Sequence, residues 1–265
     1  MSVLLQISDP HFGTEQPPVV EALVTLTRKQ RPDLLVLSGD ITQRARPGQF
    51  KAARAFADRL GLPILAIPGN HDIPLFDLWA RLRHPHARFI AAFGDDLEPV
   101  HASSELMVVC VNTTRAWRHK HGAVSGRQID RVARLLMDAT DAQLRVVVVH
   151  QPIAVTRAED QENRLRGHAA AVQRWSAAGA DLIMGGHIHL PYVLALQGLT
   201  RPMWAVQAGT AVSSRVRAGA PNSVNLLRWG ADAPIGACKI EQWDFSATDQ
   251  SFVCVELTEV HPART

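Results

Sequence analysis

The chain has 265 residues, of which 46% are hydrophobic and 20% charged, with a formal net charge of +3. This is enough apolar material for a sizeable core, so a disordered chain is excluded, and the length suits a single α/β domain over 1–265. The small excess of Lys and Arg is spread along the chain rather than blocked, which argues against a nucleic-acid partner, and no apolar run reaches the roughly 18 residues of a membrane span.

In chain order, the sequence opens on an apolar run at 3–7, with no basic segment before it and too short for a signal peptide. Further runs at 34–37, 64–67, 106–111, 146–149 and 182–184 are β-branched or leucine-rich and end in turn-forming residues, which predicts buried strands. Amphipathic stretches at 19–30, 48–60, 75–83, 128–137 and 168–177 fall between them. In the second, Phe50, Ala53, Phe56, Ala57 and Leu60 share one helical face. This alternation predicts an α/β fold. After Met184 the pattern changes to strands without helices, at 192–196, 203–207, 224–229, 236–244 and 252–257, expected to be largely antiparallel. Two long segments, 85–101 and 151–167, read as irregular, and loops of that length are often lids or binding loops. Cys110, Cys238 and Cys254 form no Cys-x-x-Cys pair and read as buried thiols of a reducing compartment, so a cytoplasmic protein is expected.

The residues that carry chemistry follow the predicted strands. Asp9 and His11 come after the first and Asp40 after the second. Asn70, His71 and Asp72 come after the third, His150 after the run at 146–149, and His187 and His189 after 182–184. Ligand sites of open α/β sheets lie outside the carboxyl ends of parallel strands, so five segments would converge on one edge. Carboxylate, amide and imidazole donors without thiolate suit divalent ions such as Mn, Fe, Zn and Ni. Seven candidate ligands exceed one tetrahedral ion and suit two ions sharing a bridging carboxylate. Each motif alone reads equally well as a turn or a buried hydrogen-bonding pair; the ordered set of five does not.

The motifs Asp9-x-His11, Gly39-Asp40, Gly69-Asn70-His71-Asp72, His150 and Gly186-His187-x-His189 resemble those of the calcineurin-like metallophosphoesterases, in particular the bacterial cyclic nucleotide and glycerophosphodiester phosphodiesterase branch. The resemblance implies an αββα sandwich of two mixed β-sheets flanked by helices. It implies that Asp9, His11, Asp40 and His189 hold one metal and that Asp40, Asn70, His150 and His187 hold the other, with Asp40 bridging. The ions would be two divalent or trivalent ions of Mn, Fe or Zn. Two departures stand out. Gln43 occupies a place where many diesterases of the branch have Asp, and Gln151 a place where many have a second His.

The expected chemistry is phosphoester hydrolysis by a metal-bridging hydroxide attacking in line with the leaving oxygen. His71 is the expected acid or phosphoryl donor, and Asp72 its orienting partner or a turn residue. The expected partner is a small organic phosphodiester, with no nucleic acid and no membrane span; the sequence leaves the oligomeric state open. A phosphomonoesterase, a nucleotide-sugar lipid pyrophosphatase, a protein phosphatase and a metal-stabilised binding scaffold are the competing readings. Diesters are expected to be preferred, because no Lys or Arg adjoins a ligand in sequence; Arg157, Arg164 and Arg166 of the 151–167 loop are the expected source of any extra cation. Arg215 and Arg217 read as a solvated loop with a phosphate-binding role as the alternative, Asn112 as a turn or cleft residue, and Arg44 and Arg46 as solvated or as contacts to substrate anions. His84, His86, His101, His119 and His121 read as surface residues, and the six tryptophans as packing.

Overall fold

The apolar runs pair into strands because each can bury both faces. The computed structural model describes residues 1–230 and 236–264. In chain order these form β1 (Ser2–Ile7), α1 (Pro17–Gln30), β2 (Leu34–Ser38), α2 (Pro47–Leu60), β3 (Ile64–Ile67), α3 (Leu78–Arg83), α4 (Ala87–Phe93), β4 (Val100–Ala102) and β5 (Leu106–Cys110). They continue with α5 (Gly126–Met137), β6 (Leu144–Val148), α6 (His168–Ala177), β7 (Leu182–Gly185), β8 (Tyr192–Ala195), β9 (Trp204–Gln207), β10 (Ser223–Trp229), β11 (Cys238–Ser246) and β12 (Ser251–Val260). Helix starts follow local chemistry. Prolines open α1 and α2, and Ser125 caps α5 by accepting from the Gln128 backbone N–H.

The strands form two mixed sheets, ordered β12-β11-β10-β1-β2-β3 and β4-β5-β6-β7-β9-β8. Alternation along β1 shows how they stack. Val3, Leu5 and Ile7 pack under α1 and α2 with Leu23 and Phe50, while Leu4 faces the other way. Leu4, Val36 and Ile67 of the first sheet share an inter-sheet core with Val108, Val146 and Met184 of the second. The outer face of the second sheet, including Val109 and Val147, is covered by Val132, Leu136 and Trp175 of α5 and α6. The result is the expected helix–sheet–sheet–helix sandwich.

Within each sheet the strands that lead to candidate ligands are parallel: β1 with β2 and β2 with β3 in one, β6 with β7 in the other. Their carboxyl ends therefore lie on one edge of the sandwich.

Several expectations need correction. The late strands pair antiparallel as expected, β10, β11 and β12 extending the first sheet beside β1 and β8 pairing with β9 in the second, except that β9 runs parallel to β7. The segment 85–101 holds α4, whose Phe89 is fully buried against Phe50 and Phe93, and the start of β4. The helix expected over 75–83 begins only at Leu78, after Asp77 accepts a hydrogen bond from the Ala80 N–H. Cys254 is exposed, unlike Cys110 and Cys238. Trp79 and Trp117 are exposed rather than packed. No helix among the described residues is long and apolar enough to cross a membrane.

Candidate metal centre

Five of the seven candidate ligands lie on a sharply turned backbone beyond their strands. Asp9, His11, Asp40, His187 and His189 all have positive φ, at 50°, 43°, 48°, 74° and 54°. Asp and His are among the non-glycine residues most often found there. Hydrogen bonds between adjacent strand ends hold the turns, with Asp9 N donating to Gly39 O at 3.1 Å and His11 N to Asp40 O at 3.1 Å. Two glycines make room. A Cβ on Gly69 would overlap the Asp40 backbone nitrogen and carboxylate, and one on Gly186 would overlap Ser8 Oγ and the Asp9 carboxylate.

The turned segments bring together two adjacent groups, Asp9 with His11 and His189, and Asp40 with His150 and His187. His11 Nε2 lies 3.1 Å from His189 Nε2, and His189 Nε2 lies 3.3 Å from Asp9 Oδ1. Asp40 stands between the groups, with Oδ2 3.8 Å from His11 Nε2 and Oδ1 3.3 Å from His150 Nε2. Beyond these contacts Asp9 Oδ1 and His150 Nε2 have no hydrogen-bond partner, and Asn70 Oδ1 and His187 Nδ1 are buried without any. Such atoms are costly unless something occupies the space between them. Oxygen and imidazole donors that converge and are otherwise orphaned fit a binuclear metal centre.

The outer nitrogens are fixed by main-chain carbonyls, leaving the opposite nitrogen for the centre. His150 Nδ1 lies 2.9 Å from Ser38 O, His189 Nδ1 2.6 Å from Arg215 O, and His71 Nδ1 2.9 Å from Gln43 O. Burial pushes His11 and His187 down to about 3, so both rings are neutral. Burial also disfavours charge on His150, but the Asp40 carboxylate outweighs it and raises the ring to about 9. Asp72 makes no hydrogen bond to the His71 ring. Its carboxylate accepts from the backbone N–H groups of Gly69, Ile41 and Thr42 at 2.8–3.0 Å, and from Thr42 Oγ1, tying together the loops after β2 and β3. Burial, then the nearby Asp40 charge, push Asp72 up to about 7.

A family model described as calcineurin-like phosphoesterase matches residues 2–191. The chain belongs to the calcineurin-like phosphoesterase family. Over 74% of its length this phosphoesterase is 27% identical to a probable cyclic nucleotide phosphodiesterase of Synechococcus, spanning 76% of that protein. A shorter stretch, 26% of the chain, is 37% identical to the glycerophosphodiester phosphodiesterase GpdQ of Enterobacter lignolyticus, but covers only 29% of it. The fold matches a dimetal phosphatase from Danio rerio with a TM-score of 0.70 over 99% of both chains, at 14% identity. The phosphoesterase is thus a hydrolase acting on phosphoric ester bonds.

Its two ligand groups open into a cleft of about 380 Å³, lined also by His71, His119, Lys120, Asp160, Asn163, Arg215 and Arg217. The sequence reading missed part of this lining. Arg215 is not a solvated-loop residue, since its Nη1 reaches Gln43 Oε1 at 2.9 Å and His71 Nε2 at 3.3 Å. Arg217 is paired with Asp160 at 2.9 Å. His119 is on the cleft wall, its ring 6.3 Å from that of His71. From the 151–167 loop the cleft receives Asp160 and Asn163, not the expected arginines. Asn112 makes a turn, its Oδ1 accepting from Thr114 N, and Arg44 and Arg46 are exposed outside the cleft. The signal for Arg215 was the small-residue stretch from Gly209 to Gly219, which lets that loop approach the ligand turns closely.

Proposed function

We propose that this phosphoesterase is a single-domain, binuclear phosphodiesterase that acts in the cytoplasm on a small organic phosphodiester such as a cyclic nucleotide or a glycerophosphodiester. The observation that carries the reading is Asp40, with one carboxylate oxygen facing each ligand group at the floor of an open cleft. Asp9, His11, Asp40 and His189 would hold one ion, and Asp40, Asn70, His150 and His187 the other. Mn, Fe and Zn all suit these donors. Bound ions of this kind lower the pKa of a coordinated water and polarise phosphoryl oxygens.

The chain's own contribution centres on His71. Its Nδ1 donates to the Gln43 carbonyl, so Nε2 is the nitrogen presented to the cleft, and in the imidazolium form it would donate to a phosphoryl oxygen or protonate the leaving oxygen. Asp72 is a positioning residue, because its hydrogen bonds to Gly69, Ile41 and Thr42 set the distance between Asp40 and Asn70. The names of the relatives support a diester substrate. The free cysteines suit a reducing compartment. The test is to strip the metals, add back Mn²⁺, Fe²⁺ or Zn²⁺, and assay bis(p-nitrophenyl) phosphate, cyclic nucleotides and glycerophosphodiesters. Absence of diester turnover with every metal, despite full metal content, would favour a binding scaffold instead.

A further inference from the structure

Lys120, Arg215 and Arg217 are the described Lys and Arg side chains lining the cleft. Two of them are neutralised at close range. Lys120 Nζ lies 2.8 Å from Glu162, and Arg217 lies 2.6 Å from Glu159 and 2.9 Å from Asp160. Arg215 makes no ion pair among the described residues. Its Nη1 instead lies beside groups that are not carboxylates: Gln43 Oε1 at 2.9 Å, His71 Nε2 at 3.3 Å, and the His11 ring nitrogens at 3.4 Å. The guanidinium thus stands uncompensated between the proposed acid and a ligand of the metal centre.

The loop that carries Arg215 is tied to the site. Arg215 N donates to Ser213 Oγ at 3.1 Å, Ser213 Oγ lies 2.9 Å from Thr210 Oγ1, and Thr210 Oγ1 donates to the Asp9 carbonyl at 2.6 Å. The Arg215 carbonyl in turn accepts from His189 Nδ1. A cation held so firmly loses little further freedom when it binds an anion, and a guanidinium presents a fork that matches two phosphoryl oxygens.

We propose that Arg215 is a specificity-determining, phosphate-binding residue whose charge, preserved by the neutral Gln43 beside it, lets the site bind dianionic phosphoryl groups and hydrolyse phosphomonoesters as well as diesters. The proposal rests on the cleft being a phosphoester site. A monoester dianion brings one more negative charge than a diester, and Arg215 is the cation available to meet it. The reaction is simple hydrolysis. Water oxygen forms the new P–O bond, the ester P–O bond breaks, and the leaving oxygen takes a proton to become an alcohol, releasing inorganic phosphate. A carboxylate at position 43 would pair with Arg215 and cancel the effect.

The test is calorimetric titration of the Mn²⁺-loaded full chain with inorganic phosphate and with dimethyl phosphate, for the wild type, Arg215→Gln and Gln43→Glu, with metal content measured on each. Arg215→Gln is expected to weaken phosphate binding about 10–100-fold, the scale of one charge-assisted hydrogen bond, and dimethyl phosphate binding less than about threefold. Gln43→Glu is expected to weaken phosphate selectively in the same direction with Arg215 still present. The ratio of kcat/KM for p-nitrophenyl phosphate over bis(p-nitrophenyl) phosphate should fall in both variants. Equal weakening of the two anions, or no weakening, would overturn the proposal. If Arg215→Gln sheds metal, metal-replete Gln43→Glu decides alone, and unchanged phosphate affinity there refutes it. Failure of the diesterase reading is seen separately, as a metal-loaded wild type that turns over no diester while still binding phosphate through Arg215.

Discussion

Removing the metals should loosen the whole sandwich, because the ligand set is drawn from both sheets. Asp9, His11, Asp40 and Asn70 follow strands of the first sheet, and His150, His187 and His189 follow strands of the second. Without ions, Asn70 Oδ1 and His187 Nδ1 are buried and unpaired, while Asp9 Oδ1 and His150 Nε2 have as partners only an imidazole and a carboxylate, respectively, at 3.3 Å. At about 1–3 kcal/mol for each of the two unpaired atoms, the stripped centre carries roughly 2–6 kcal/mol of unmet polar interaction. Two sites, each filled at about 100 times its Kd, would return about 5 kcal/mol. For a chain of this size, that corresponds to a rise in Tm of about 10–20 °C. The assay is scanning calorimetry of the chelator-treated protein titrated with Mn²⁺, beside elemental analysis. His189→Ala should lose about half of the metal-dependent shift, and Asp40→Ala most of it, since Asp40 faces both groups. An Asp40→Ala variant that kept two ions and the full shift would refute the shared-carboxylate arrangement.

Three further outcomes are expected. His71→Ala should keep both ions by elemental analysis while kcat falls about 10²–10⁴-fold, and loss of a metal would instead make His71 a ligand. Gly69→Ala should drive its Cβ into Asp40 and lower kcat/KM about 100-fold, the cost of displacing a reacting group by about 1 Å; an unchanged kcat/KM would mean that the two loops have room to part. Asp181→Ala should lower stability by about 3–5 kcal/mol in urea unfolding with metal content unchanged, because this fully buried carboxylate pairs with Arg201 at 2.9 Å and Arg264 at 3.1 Å far from the cleft.

The ligand set was legible in the sequence because strand ends and their turns are local features. An apolar run such as Leu34 to Leu37 followed by Ser38-Gly39-Asp40 states both where the chain is buried and where it must turn. The parallel order of β1, β2 and β3 then gathers those turns at one edge, so few further facts are needed to bring Asp9, Asp40 and Asn70 together. What escaped was decided by contacts distant in sequence. Arg215 meets Gln43 across 172 positions, and no pattern near either residue announces the other. Asp72, adjacent to His71 in the chain, looked like its partner, but the tight 3-10 turn from Asn70 to Asp72 sends the two side chains apart, and the Asp72 carboxylate meets amides after β2 instead. The α4 helix was hidden because its seven residues carry too few turns for an amphipathic period to emerge, and its burial comes from Phe50 on α2.

The left-handed turns under Asp9, His11, Asp40, His187 and His189 restrict how this centre can be redesigned. Of the residues able to donate to a metal, Asp, Asn and His adopt that backbone most readily; Glu or Cys would keep a donor atom at a cost of about 1–2 kcal/mol per turn. The main chain therefore acts as a filter on the ligand alphabet. A thiolate-rich centre, and with it a softer metal preference, would accumulate that cost at each of these five positions. A design that sought one on this scaffold would do better to reshape the loops beyond the strands than to exchange the side chains they carry.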